Sequence, residues 1–295
     1  MPRPVAHKMQ IAAAALLFST GGAAIKATTL DALQLAGLRS GIAALALWLL
    51  MPSWRRFWTR RSLAVGLAYA ATMLLFVAAN KLTTAANVIF LQATAPMYLM
   101  LLGPLVLGER IARRDAIQAA AMAVGLALFF LGVEPATRTA PDPLRGNLLG
   151  ALCSLTWVAT ILSLRWLGRH SPTTGHDAPG AAVLAGNLLA ALISLPWALP
   201  LGPRPASDGL IVVYLGVFQI GLAYVALTRG MRHVTALEAS LLLLLEPVLS
   251  PVWAWLVHGE RPGSWSLAGC ATILAASLAA ILWPARLPAL DPAPE

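Results

Sequence analysis

The sequence predicts an all-α integral membrane protein, with ten transmembrane helices arranged as two inverted five-helix repeats. Three observations predict it. Of 295 residues, 59% are hydrophobic and only 11% are charged, whereas a soluble domain carries about 25% charged residues. The apolar residues gather in ten runs near the roughly 20 residues that a helix needs to cross a ~30 Å hydrocarbon core. Finally, two stretches 151 residues apart end alike. Residues 84–110 read TAANVIFLQATAPMYLMLLGPLVLGER, and residues 235–261 read TALEASLLLLLEPVLSPVWAWLVHGER. Without gaps, 9 of 27 positions are identical. Matches of Leu, Ala and Val are cheap in so apolar a chain. The coincidence of Pro96 with Pro247, and of Gly108-Glu109-Arg110 with Gly259-Glu260-Arg261, is not, and it points to internal duplication.

Span 1 (9–27) follows a basic start, Arg3 and Lys8. It is read as an uncleaved anchor, because cleavage would remove the first helix of the first repeat. Span 2 (34–51) carries Arg39 about a third of the way in, and span 3 (62–80) follows Arg60 and Arg61. Span 4 (85–107) holds Asn87, Gln92, Thr94 and Pro96, and span 5 (115–133) is rich in small residues. The segment 134–146 (EPATRTAPDPLRG) is Pro-rich, lacks apolar periodicity and forms the joint between the halves. The repeats are therefore placed at 1–138 and 139–295. Span 6 (147–167) contains Trp157, span 7 (179–199) Asn187, and span 8 (209–228) Gln219 and Tyr224. Span 9 (236–258) contains Glu238, the Glu246-Pro247 pair and Pro251, and span 10 (264–283) is again rich in small residues. No alternating strand pattern competes.

Orientation follows from Lys and Arg. With the N-terminus cytoplasmic, 14 of the 21 lie in inside segments and 6 in outside segments, with Arg39 within a span. Both termini are thus expected in the cytoplasm, in a multi-pass protein of the inner (plasma) membrane. Trp54, Trp58, Trp166, Trp197, Trp265 and Trp283 lie near span ends, where interfacial anchors belong. Five spans per half is odd, so the second half enters the membrane from the opposite side. Two inverted halves that exchange conformations provide alternating access.

The net charge of +9 does not imply nucleic acid, because the basic residues sit in short loops between apolar runs. No metal site or cofactor is expected. The five histidines are scattered, and Cys153 and Cys270 stand alone in apolar runs. No phosphate loop and no local nucleophile–base motif occurs, so no catalytic residue is assigned.

The two runs ending in Gly-Glu-Arg each have a proline 13 residues before the Glu and a small-residue helix after it: AIQAAAMAVGLALFFLG and LAGCATILAASLAAILW. With the Glu246-Pro247 pair, these features resemble the EamA-type branch of the drug/metabolite transporter superfamily, over about residues 9–283. The resemblance implies ten helices, a central cavity between the halves, and export of amino acids or related small metabolites. The first repeat departs from the second in having Ala95, not an acid, before its proline.

An acid at Glu246 in mid-membrane costs about 2.5–3.5 kcal/mol unless it is paired, protonated or hydrated. It is read either as a proton-coupling or substrate-amine site, or as an interhelical hydrogen-bonding group. Arg39 either binds a substrate carboxylate, pairs with Glu246, or snorkels to the interface. Gln92, Thr94, Trp157, Asn187, Gln219 and Tyr224 are candidates to line the substrate path, with helix packing as the alternative for each. Pro96 and Pro247 are expected to kink their helices. Asn87 and Glu238 hold equivalent positions at the starts of spans 4 and 9. Glu109 and Glu260 end those spans and are expected to accept hydrogen bonds from the helix that follows. Spans 5 and 10 form a packing seam, within the chain or in a homodimer. The expected partners are the lipid bilayer and a small-molecule substrate. A membrane-embedded enzyme or a non-transporting scaffold is the alternative. Substrate identity, transport direction and energy source are open at this level.

Overall fold

The structure, a computed structural model, describes residues 3–56, 58–95, 97–98, 113–131, 135–169, 177–199, 202–230 and 242–282. Every element among them is helical. Helices α1 (Arg3–Ser19) and α2 (Gly21–Lys26) fall on the first predicted span, α3 (Ala32–Leu50) on the second and α4 (Arg60–Leu82) on the third. Helix α5 (Ala85–Gln92) begins the fourth, α6 (Arg113–Leu131) is the fifth, α7 (Pro143–Arg169) the sixth and α8 (Asp177–Ala198) the seventh. The eighth is continuous but mixed: α9 (Ala206–Val213), a π-helical stretch (Tyr214–Leu222) and α10 (Ala223–Gly230). Helices α11 (Leu245–His258) and α12 (Ser264–Leu282) lie on the ninth and tenth. Six segments are long and apolar enough to cross a membrane unaided: Ala6–Lys26, Ala32–Leu50, Arg60–Leu82, Pro143–Leu164, Ala178–Ala198 and Ala206–Gly230. Pro96, Glu109, Glu238 and Trp283 lie outside the described residues, so the kink at Pro96 and the role of Glu109 are not among the features seen.

Helix starts are fixed by local chemistry. The Gln34 amide donates to Asp31 Oδ1 at 2.8 Å, and the Gln34 side chain accepts from the Asp31 amide, a capping box before α3. Thr59 and Ser62 do the same for α4, and Thr84 accepts from the Asn87 amide to start α5. Helix α11 stops at Gly259, whose φ of 69° only glycine adopts without strain.

Large apolar side chains face outward as well as inward. Leu131 and Leu210 are more than 70% exposed, as a lipid-facing surface requires. The interior is built across the two halves. Helix α4 packs on α7 and α8, and α3 packs on α8 and the π-helical stretch. Close approach depends on small residues. Trp54 is buried, and a Cβ added at Gly180 would collide with its indole ring. Trp54 is thus a core residue and not the interfacial anchor its position suggested, whereas Trp58, Trp197 and Trp265 are exposed. Gly180→Leu is expected to lower the melting temperature and the membrane yield, by an overpacking cost of about 1–3 kcal/mol. Thermal unfolding in detergent checks it, with Gly202→Leu as control, since nothing lies within 4 Å of Gly202.

Helices α6 and α12 pack on each other, with a Cβ at Gly269 meeting the Gly125 carbonyl at 2.8 Å. The small-residue faces of spans 5 and 10 thus meet within the chain.

Candidate functional site

Four spans depart from regular α geometry. The first is interrupted at Thr20, between α1 and α2. There Thr20 Oγ1 meets the Tyr214 hydroxyl at 2.8 Å, and the Gln219 side chain lies over Gly21. The fourth is interrupted at Ala93-Thr94, after α5. The ninth is interrupted at Leu244, before α11. Ala93 and Leu244 are 151 residues apart, so the two repeats break at equivalent positions. The eighth widens into its π-helical stretch, a geometry that is rare and concentrated at functional sites.

A cavity of about 290 Å³ lies where these irregularities meet. Gln92 and Ala93 come from the break in the first repeat, and Leu243, Glu246 and Pro247 from the break in the second. Gln219 and Ile220 come from the π-helical stretch. Aromatic rings complete much of the wall: Phe18, Phe76, Trp157 and Tyr224, with Met73 and Arg39 beside them. Phe18 and Tyr224 meet edge-on with ring centroids 5.3 Å apart, and Tyr69 stands behind Tyr224 at 5.9 Å. Such a wall binds flat or apolar groups, and its few polar atoms select orientation.

Two opposite charges border this space. Arg39 is 1% exposed. Its Nη2 donates to the Met73 carbonyl at 3.3 Å, and its guanidinium lies 5.8 Å from the Phe76 ring centroid. Its Nε has no hydrogen-bond partner, and no described carboxylate pairs with it. The side chain does not snorkel to an interface and is not paired with Glu246. Glu246 is half-buried in the first turn of α11, where the helix N-terminus favours an anion. The break at Leu244 thus puts Glu246 at the mouth of a half-helix and not inside a continuous one. Pro247 shares that first turn and lacks the N–H that would donate to Leu243 one turn earlier, and the span is interrupted between the two at Leu244; Pro251 lies inside α11.

Two candidates do not line the cavity. Thr94 is buried and donates to the Leu91 carbonyl at 2.6 Å, with Ser154 Oγ at 3.3 Å. Asn187 donates to the Tyr69 hydroxyl at 3.3 Å and to the Val183 carbonyl at 3.0 Å. Both join helices. Asn87 does so too, donating to Thr83 Oγ1 and Asn147 Oδ1. Phe18, Met73 and Phe76 carry no signal in the sequence, because they are apolar residues in apolar helices.

A second polar cluster lies at the far ends of α2, α4 and α11. Lys26 and Glu260 form an ion pair at 2.9 Å, with side chains 2% and 4% exposed. Lys26 also donates to the carbonyls of Thr83 (2.7 Å) and Thr139. Glu260 Oε2 accepts from the Ala85 amide at 3.0 Å. The expected bond from Glu260 to the following helix is therefore replaced by one to the first turn of α5, in the other half of the chain. The Ala85 amide is one of the open donors of a helix start, and Lys26 supplies the compensating charge. Lys26 itself is buried, not a solvated loop cation.

A family model described as "EamA: EamA-like transporter family" matches residues 9–131 and again 144–282. No curated protein matches the chain. A solved structure described as "Crystal structure of protein" superposes with a TM-score of 0.61 at 21% identity, covering 94% of this chain and 96% of the other. That likeness extends the shared fold over nearly the full length of both.

Proposed function

The chain belongs to the EamA-like transporter family, as a multi-pass membrane protein with two copies of the family's repeat, and from this premise we propose that it is a secondary transporter exporting amino acids or related small metabolites across the cytoplasmic membrane. In this reading ten helices form two inverted repeats, residues 1–138 and 139–295, with both termini cytoplasmic. The halves exchange conformations around a fixed central site and expose it to each side in turn.

One observation carries the reading: the cavity between the repeats holds a buried guanidinium and a carboxylate that are not paired with each other. Uncompensated charge inside a membrane span is costly and marks a ligand or ion path by default. A zwitterionic or carboxylate-bearing metabolite satisfies it. Arg39 takes the carboxylate, Glu246 takes an ammonium group or a proton, and the aromatic wall takes the remainder. Gln92, Gln219, Trp157 and Tyr224 orient it. Membrane enzymes and scaffolds have no need of two equivalent helix breaks facing one cavity.

The test is flux. Purified protein in liposomes is expected to move labelled amino acids or related carboxylates saturably, and unlabelled substrate on the opposite side is expected to speed exchange. Absence of flux for a broad metabolite panel, from protein that is correctly inserted, overturns transport as the function.

A further inference from the structure

Helices α1–α2 and α11 leave the cavity together and are laced by three polar contacts in succession. Phe18 on one and Glu246 on the other border the cavity. Moving away from it, Trp253 Nε1 donates to Ser19 Oγ at 3.0 Å, and His258 Nε2 meets the Ala23 carbonyl at 2.8 Å. The series ends in the Lys26–Glu260 pair. Phe18 to Lys26 spans roughly 12 Å of helix, at about 1.5 Å per residue. The terminal pair also holds α5, because Glu260 accepts from Ala85, and the other end of α5 reaches the cavity at Gln92. One carboxylate of the second repeat thus fixes two elements of the first, both of which run to the cavity.

We infer that Lys26 and Glu260 form the gate that shuts the cavity from this face of the membrane, an assignment that rests on the transport reading. The contact is suited to the work. A buried ion pair gains from Coulomb attraction about what it loses in desolvation, so the closed pair and two separately hydrated charges are near balance. A zipper of leucines here would favour closure strongly. Opening parts α11 from α2 and from the start of α5, hydrates both charges and connects the cavity to water. Glu260 and Lys26 act by position and touch no substrate.

Access is the readout, measured with Ala93→Cys as reporter in the cavity wall and with the buried Cys153 and Cys270 replaced by Ser and Ala. A charged, membrane-impermeant maleimide is applied to intact cells and to inverted vesicles. Glu260→Gln keeps an oxygen for the Ala85 amide but removes the charge. It is expected to speed labelling at least fivefold from the face that carries residue 260, and not from the other. Lys26→Gln is expected to do the same, and the double variant to add nothing further. Unchanged labelling in variants that insert normally overturns the gate. Should neither variant insert, Ala23→Cys with His258→Cys, joined by a short bifunctional thiol reagent, keeps the proposal open to refutation. The crosslinked protein is expected to lose flux and regain it on cleavage, and flux that survives the crosslink refutes the gate. Gated labelling in the Ala93→Cys reporter, together with no flux for any metabolite in the wild-type protein, refutes transport and leaves the gate geometry standing.

Discussion

Glu246→Gln is expected to cut transport at least tenfold, or to flatten its pH dependence, while insertion and yield stay at wild-type levels. The carboxylate borders the cavity in the first turn of α11, and no hydrogen bond or ion pair holds it among the described residues. Leaving it ionised at this depth costs about 2.5–3.5 kcal/mol unless water, a proton or a substrate cation meets it. Glutamine has the same size and retains hydrogen bonding but binds neither a proton nor an ammonium group in the same way. Packing is therefore preserved and only the charge is tested. Liposome flux at several pH values decides it. Wild-type flux with an unchanged pH profile would make Glu246 a structural residue.

Arg39→Met is expected to weaken binding of carboxylate substrates by about 10- to 150-fold, the equivalent of a charged hydrogen bond of about 1.5–3 kcal/mol. Methionine fills the space of the aliphatic stem, and Met73 and Phe76 remain to pack on it. The methyl ester of the same substrate is expected to bind wild type and variant alike, because it brings no anion for the guanidinium. Arg39→Lys is expected to recover part of the affinity, since an ammonium keeps the charge and loses the planar fork. Equal loss for acid and ester would assign Arg39 to packing.

The membrane-spanning segments were legible because hydropathy and chain length are properties of the sequence alone. Duplication was legible through Pro96, Pro247 and the two Gly-Glu-Arg turns. Which way each helix faces was not. A membrane helix that meets lipid on one side and protein on the other is apolar all round. Nothing in residues 60–82 therefore marks Met73 and Phe76 as inward-facing. Thr94 and Asn187 were credible cavity residues for the same reason, and only their bonds to Ser154 and Tyr69 show that they join helices. Arg39, Gln92, Trp157, Gln219, Tyr224 and Glu246 were found because polar and aromatic groups are scarce in such spans, and the cavity gathers them. The breaks at Thr20 and Leu244 sit beside Gly21-Gly22 and Pro247, but Pro196 lies inside α8, so such residues do not place the breaks by themselves. Glu260 was recognised as satisfying a helix start, but which helix is a property of the assembled fold.

The π-helical stretch at Tyr214–Leu222 has a consequence for how this transporter can diverge. Such segments accommodate an inserted residue without ending the helix, so chain length here is free to change by one. In an α-helix one residue is a rotation of about 100°. Loss of a single residue between Tyr214 and Leu222 would instead let the wide turns close to α geometry, leaving Tyr214 near Thr20 and Tyr224 near Phe18 while shifting Gln219 and Ile220 in the cavity wall between them. A one-residue deletion is therefore a short route to a reshaped cavity that leaves the rest of the helix in place.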